Sequence, residues 1–206
     1  MPDPLRQELD LLLDSGLSYE LRGVRALEAK AWREAEGYFR RGVELTTDNN
    51  ALRRSLQHKL GTALFMSGDV KGAERQFEDA VRAAPSDAID ESSAKAHYSL
   101  GVLMASSGRS WEAIEHFSAA VKYQPNYVEA QLALGNALGH AGHAEASLTP
   151  YKEAVRIDPR VSKARLGYAV SLTRLGRYRE SRDWLTDATK RYPDQPQLAL
   201  ALARLL

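Results

Sequence analysis

The stretch AKAHYSLGVLMASSGRSWEAIEHFSAAVKYQPNY, residues 94–127, decides the fold. It sets Leu100-Gly101 ahead of a bulky Met104, then Ala113, Phe117, Ala120 and Pro125. That spacing describes two helices folded back on each other. The small residues Gly101 and Ala113 allow close approach, Phe117 fills the space between the helices, and Pro125 stops the second one. A hairpin of this kind cannot bury both of its apolar faces alone, so it must stack on neighbours.

The same marks recur on both sides of this stretch. Upstream lie Leu60-Gly61, Leu64, Ala73, Phe77, Ala80 and Pro85, with Gly68-Asp69 as a turn followed by a helix N-cap. Downstream come Leu134-Gly135, Leu138, Gly142, Tyr151, Ala154 and Pro159, then Ala169, Leu172, Gly176, Tyr178, Leu185, Ala188 and Pro193. The packing position reads Gly23, Gly61, Gly101, Gly135, Ala169, in steps of 38, 40, 34 and 34. The aromatic position reads Phe39, Phe77, Phe117, Tyr151, Leu185, with identical steps. Two independent marks sharing one irregular rhythm fix the register. The extra residues fall near 50–53 and 88–93, just before a first helix in each case, and are expected to lengthen those helices by a turn or more.

These residues, in the order L-G-x-x-bulky…A-x-x-x-F…P at a period of about 34, resemble the tetratricopeptide repeat (TPR) family. The resemblance covers nearly the whole chain, from about Gly16 to Leu206. It implies an all-α fold, a right-handed superhelical stack of helical hairpins with a concave groove lined by the first helices. The division is five repeats, 16–49, 54–87, 94–127, 128–161 and 162–195. An N-terminal cap helix precedes them at 1–15, with Asp3 as cap, Pro4 in its first turn and Leu5, Leu9, Leu12 and Leu13 on one face. Residues 196–206 form a C-terminal capping helix or a truncated sixth repeat, in which Leu198, Leu202 and Leu205 recur at helical spacing with no further copy to cover them. That stripe is the candidate surface for self-association. The first repeat departs from the pattern at Arg22, Gly42 and Thr47, and Pro150 stands inside the second helix of the fourth, where it is expected to kink it.

Composition narrows the function classes. An apolar fraction of 44% and a charged fraction of 27% are those of an ordinary folded protein. A formal net charge of +1 gives no general attraction to nucleic acid or to an anionic membrane. With no cysteine, disulfides and thiolate chemistry are ruled out. No signal peptide opens the chain and no run approaches the length of a membrane span. The expected compartment is cytoplasmic by default, with the periplasm open if an export signal was removed.

No catalytic, metal or cofactor site is expected. The sequence lacks G-x-S-x-G, H-E-x-x-H and any phosphate-cradling glycine loop. His140 and His143 straddle a turn as exposed residues and lack a third ligand. Carboxylates such as Glu74, Glu78 and Asp79 lie among Arg75 and Arg82 on solvated faces. Trp32, Trp111 and Trp184 read as packing residues at or near the starts of second helices. RNA reading would require a repeated polar code and a basic track, and neither is present.

Carried over position by position, the family's groove is lined by Val24, His58, Lys59, Phe65, Met66, Lys95, Tyr98, Val102, Asn136, Lys163 and Arg174. Val24, Thr62 and Val102 stand where chaperone-binding members carry the first carboxylate-clamping Asn, so that clamp is not expected. Only Asn136 matches the asparagine ladder that other members use to grip a peptide backbone. The resemblance therefore implies an amphipathic groove for a protein or peptide, with Phe65, Met66, Tyr98 and Val102 as apolar sockets. Lys59 and Lys95 would favour an acidic residue in the ligand. The alternative function is a helical arm or fragment of a larger multidomain enzyme or transport assembly.

Overall fold

The computed structural model describes residues 14–48, 51–84 and 90–205, and these form eleven α-helices with no strand among them. They are α1 (Gly16–Glu28), α2 (Trp32–Leu45), α3 (Ala51–Ser67), α4 (Val70–Arg82), α5 (Glu91–Ser106), α6 (Ser110–Tyr123), α7 (Val128–His140), α8 (Ala144–Ile157), α9 (Ser162–Arg174), α10 (Tyr178–Arg191) and α11 (Pro196–Ala203). The chain divides into two compact units, Met1–Leu100 and Gly101–Leu206.

In the first unit α1 packs on α2, α2 on α3, and α3 on α4. Ser15 caps α1 by accepting the Ser18 backbone N–H at 3.2 Å. Asp69 caps α4 by accepting from Gly72 at 2.9 Å, as the Gly68-Asp69 pair predicts. Gly68 takes φ +96° at this turn, a conformation that a side chain resists. At the corresponding turn between α1 and α2 the chain carries Lys30 at φ 58°. The core is built from Phe39, Leu56, Leu60, Leu64 and Phe77. Gly42 has its reason here, since a Cβ on it would stand 2.8 Å from the Leu56 Cδ2. Of the N-terminal cap predicted at 1–15, only Asp14 and Ser15 belong to the described residues, and they form the turn before α1.

In the second unit α6 packs on α7, α7 on α8, α8 on α9, α9 on α10, and α10 on α11. Gly108, Gly142 and Gly176 hold the hairpin turns with positive φ. Helices α6, α8 and α10 end two residues before Pro125, Pro159 and Pro193. Pro150 lies buried inside α8, which is continuous from Ala144 to Ile157. Leu148, Tyr151, Tyr168 and Leu172 form one core cluster; Ala169, Leu185, Ala188 and Leu198 form the next.

The irregular steps are taken up in part as helix length. Helices α3 and α5 have 17 and 16 residues, against 13 for α1, α7 and α9. The packing and aromatic positions meet as their shared rhythm requires. A Cβ on Gly23, Gly61, Gly101 or Gly135 would stand 2.4, 2.5, 2.6 or 2.8 Å from the ring of Phe39, Phe77, Phe117 or Tyr151 respectively. Where the aromatic gives way to Leu185, the glycine gives way to Ala169.

The expectation that nothing covers the C-terminal stripe is corrected. Leu198 is fully buried against Ala169, Leu185 and Ala188, and Leu202 and Leu205 pack on the same cluster. Helix α11 therefore folds its apolar side onto α9 and α10, and the large apolar residue it leaves outside is Leu200. The three leucines predicted to serve self-association are used within the chain.

Candidate functional site

The groove positions fall into two sets, one in each unit. In the first, α1 contributes Val24, α3 contributes His58, Lys59, Phe65 and Met66, and α5 contributes Lys95 and Tyr98. Phe65 and Met66 are exposed on the last turns of α3, and Met66 shares a cleft with Trp32 at the start of α2. Val24, Lys59 and Glu20 line a cavity of about 620 Å³ together with Leu17 and Leu21. Those two leucines, 65% and 54% exposed, are the largest apolar surface of α1, and the carried-over pattern missed them. Their signal in the sequence was the spacing Leu17, Leu21, Val24, which places them on one helical face.

The cations of this set are already engaged. Lys59 Nζ donates to Glu20 Oε1 at 2.8 Å and to Ser55 Oγ at 2.6 Å, and Ser55 donates to the same Glu20 oxygen at 2.7 Å. Lys95 pairs with Glu91 one turn earlier at 2.5 Å. Each of the two lysines thus has a carboxylate of its own chain beside it. His58 lies half-buried, its Nε2 3.1 Å from Ser99 Oγ and its ring 5.5 Å from that of Phe77. Burial first, then the charges of Lys59 and Lys95, lowers its pKa to about 4. The ring is therefore neutral near pH 7 and can offer one donor and one acceptor.

In the second unit the set is Val102 on α5, Asn136 on α7, and Lys163 and Arg174 on α9. Val102 is exposed. The other three meet in a cavity of about 340 Å³, with His140, Tyr151, Leu166 and Val170. Tyr151 donates its hydroxyl to Asn136 Oδ1 at 2.8 Å, a bond that does not use the Asn136 amide N–H groups. Arg174 anchors one end by donating to the Gly139 carbonyl at 2.5 Å. Burial raises the Tyr151 pKa, partly opposed by Arg174. Tyr151 was read as a packing aromatic only. The signal for its second role was Tyr where the earlier copies have Phe, since a buried phenol seeks a partner.

Two tryptophan readings divide. Trp184 is half-buried against Tyr168 at 4.6 Å and donates to the Arg165 carbonyl at 3.2 Å. Trp111 is 63% exposed, with its ring 5.0 Å from that of exposed His143, and is not a core residue. It sits in the first turn of α6, before that helix enters the core at Ala113.

Among the described residues no helix is long and apolar enough to cross a membrane. No curated protein matches the chain. Among solved structures, the chain is similar to YrrB, described as a TPR protein with an unusual peptide-binding site. The two are 18% identical, with a TM-score of 0.70 over 98% of each chain. It is similar to MamA at 17% identity and a TM-score of 0.70, covering 88% of this chain and 94% of that one. A tetratricopeptide repeat protein from Parabacteroides merdae gives 16% identity and a TM-score of 0.70, covering 92% of this chain and 72% of the other. These likenesses show the fold. Family models of the tetratricopeptide repeat match residues 58–127, 105–162 and 141–205, more than half of the sequence. With the glycine–aromatic packing repeated pair after pair and those matches in register with it, the chain belongs to the tetratricopeptide repeat family.

Proposed function

We propose that this chain is a protein- or peptide-binding scaffold that works through the first-helix faces of five repeats, at 16–49, 54–87, 94–127, 128–161 and 162–195. The observation that carries the reading is the cavity in which Asn136, Lys163 and Arg174 meet beside Leu166 and Val170. Hydrogen-bonding and apolar groups side by side in one concave place suit a peptide backbone and one of its side chains. The exposed Leu17 and Leu21 beside Val24 offer a second, more apolar place in the first unit. Membership of the family and the peptide-binding site described for YrrB support the same reading.

A peptide array screened with the full chain, followed by titration of the best binder, tests it. Asn136→Ala and Val170→Asp are expected to weaken binding by about tenfold or more each, as anchors in a small interface do. Arg75→Ala and Glu115→Ala, on second helices, are expected to leave it unchanged. The opposite pattern removes the first-helix face as the binding surface.

A further inference from the structure

A second cavity in the second unit lies away from the first-helix face. It occupies about 280 Å³ and is lined by Val155 and Arg156 on α8, Pro159 just after it, Arg165 on α9, Trp184, Asp187 and Arg191 on α10, and Tyr192 at its C-cap. Its central feature is Arg165. This side chain is 4% exposed, its guanidinium lies 4.0 Å from the Tyr192 ring centroid, and its Nη1 is buried without a hydrogen-bond partner.

A buried guanidinium cannot shed its proton, so it needs either a counter-charge or a full set of acceptors. The same chain shows how it treats a structural arginine. Arg54, 8% exposed, is held by both carboxylate oxygens of Asp90, at 3.0 and 3.3 Å, and by the Ala83 carbonyl at 3.5 Å. Among the described residues Arg165 has no carboxylate within ion-pair distance. The other charges of the cavity are matched locally: Arg191 with Asp187 at 2.9 Å, and Arg156 with Glu153 at 2.7 Å. The Tyr192 face offsets part of the cost of burial, but a ring accepts no hydrogen bond in the guanidinium plane.

We propose that this cavity is an oxyanion site, in which Arg165 receives a carboxylate or phosphate group while Trp184 and Pro159 cover a short stem. The site uses none of the residues assigned above to peptide binding, and stands or falls independently of that reading. A planar guanidinium suits both oxyanions through paired N–H donors.

The test is a two-dimensional NMR titration of the full chain that follows the Trp184 indole N–H, identified by its loss in Trp184→Phe. The probes are sodium propionate and inorganic phosphate, each against sodium chloride at equal ionic strength. A saturable shift with propionate identifies a carboxylate on a stem, and a tighter one with phosphate identifies a free phosphate; either supports the site. Arg165→Met, with helicity checked by circular dichroism, is expected to weaken the response by about tenfold or more, the scale of a charge-assisted hydrogen bond. Arg191→Gln, on an exposed residue, leaves the fold intact and is expected to weaken it less. A response no larger than that of chloride overturns the proposal, as does an unchanged response in folded Arg165→Met.

Discussion

Glycine and aromatic ring act as one unit at the residue scale. Phe77 is buried and leaves no room for a Cβ on Gly61, so Phe77→Ala is expected to cost about 3–5 kcal/mol in urea unfolding. Gly61→Ala is expected to cost about 1–3 kcal/mol through overpacking, despite the better helix propensity of alanine. The double change Gly61→Ala with Phe77→Leu reproduces the Ala169–Leu185 pair of the last hairpin. It is expected to cost less than the two single costs added together, a coupling that a double-mutant cycle measures. Strict additivity would show that ring and glycine are not partners. Lys30 presents the reverse case. It stands at φ 58° at a turn whose later equivalents are Gly68, Gly108, Gly142 and Gly176. Lys30→Gly is expected to raise stability by about 0.5–1 kcal/mol, because glycine removes the left-handed strain. A loss on that substitution would mean that the lysine stem packs where the turn needs it.

At the scale of elements, the first helices are not equal. Two of them grow by about a turn, and in α3 Arg54, just after that added turn, donates to Asp90, which immediately precedes α5. Burial alone would raise the Asp90 carboxyl. The hydrogen bonds from Arg54 and from the side chain and backbone of Ser93 outweigh it and hold the group below the ordinary carboxylate range. The last helix, α11, has eight residues, too few to hold its shape without packing. Its anchor is Leu198, and Leu198→Ala is expected to cost about 2–5 kcal/mol and to release α11 first. Hydrogen exchange reads this directly: amides 198–203 should lose protection while those of α8 keep theirs. Unchanged protection in α11 would show that Leu202 and Leu205 suffice.

For the whole molecule the response to acid is the clearest expectation. In the unfolded chain His58 takes its proton near 6.5, and in the fold only near 4. Between those values the unfolded state binds the extra proton, so stability is complete above about pH 6.5 and falls as the pH drops towards 4. Asp90 adds to the loss further down, where its depressed carboxyl is finally protonated. The urea midpoint should therefore fall on acidification from neutrality, and His58→Gln should flatten the part between 6.5 and 4. An equal slope in that variant would assign the acid response elsewhere. The sequence by itself determined the helical pairs, their register and the family, because every helix contact recurs at a fixed offset and Gly23 to Ala169 mark it repeatedly. The resemblance to the family also named Asn136, Lys163 and Arg174 as groove positions, and the three line one cavity. Only the tertiary structure decided what those side chains have for partners. Glu20 reaches Lys59 across 39 residues, and Tyr151 bonds Asn136. Only there do Leu198, Leu202 and Leu205 turn inward, and only there does Arg165 stand buried over Tyr192 without a counter-charge. A repeat pattern specifies which positions face inward; whether a charge there is matched depends on which long side chains arrive from other helices, and no periodicity records that.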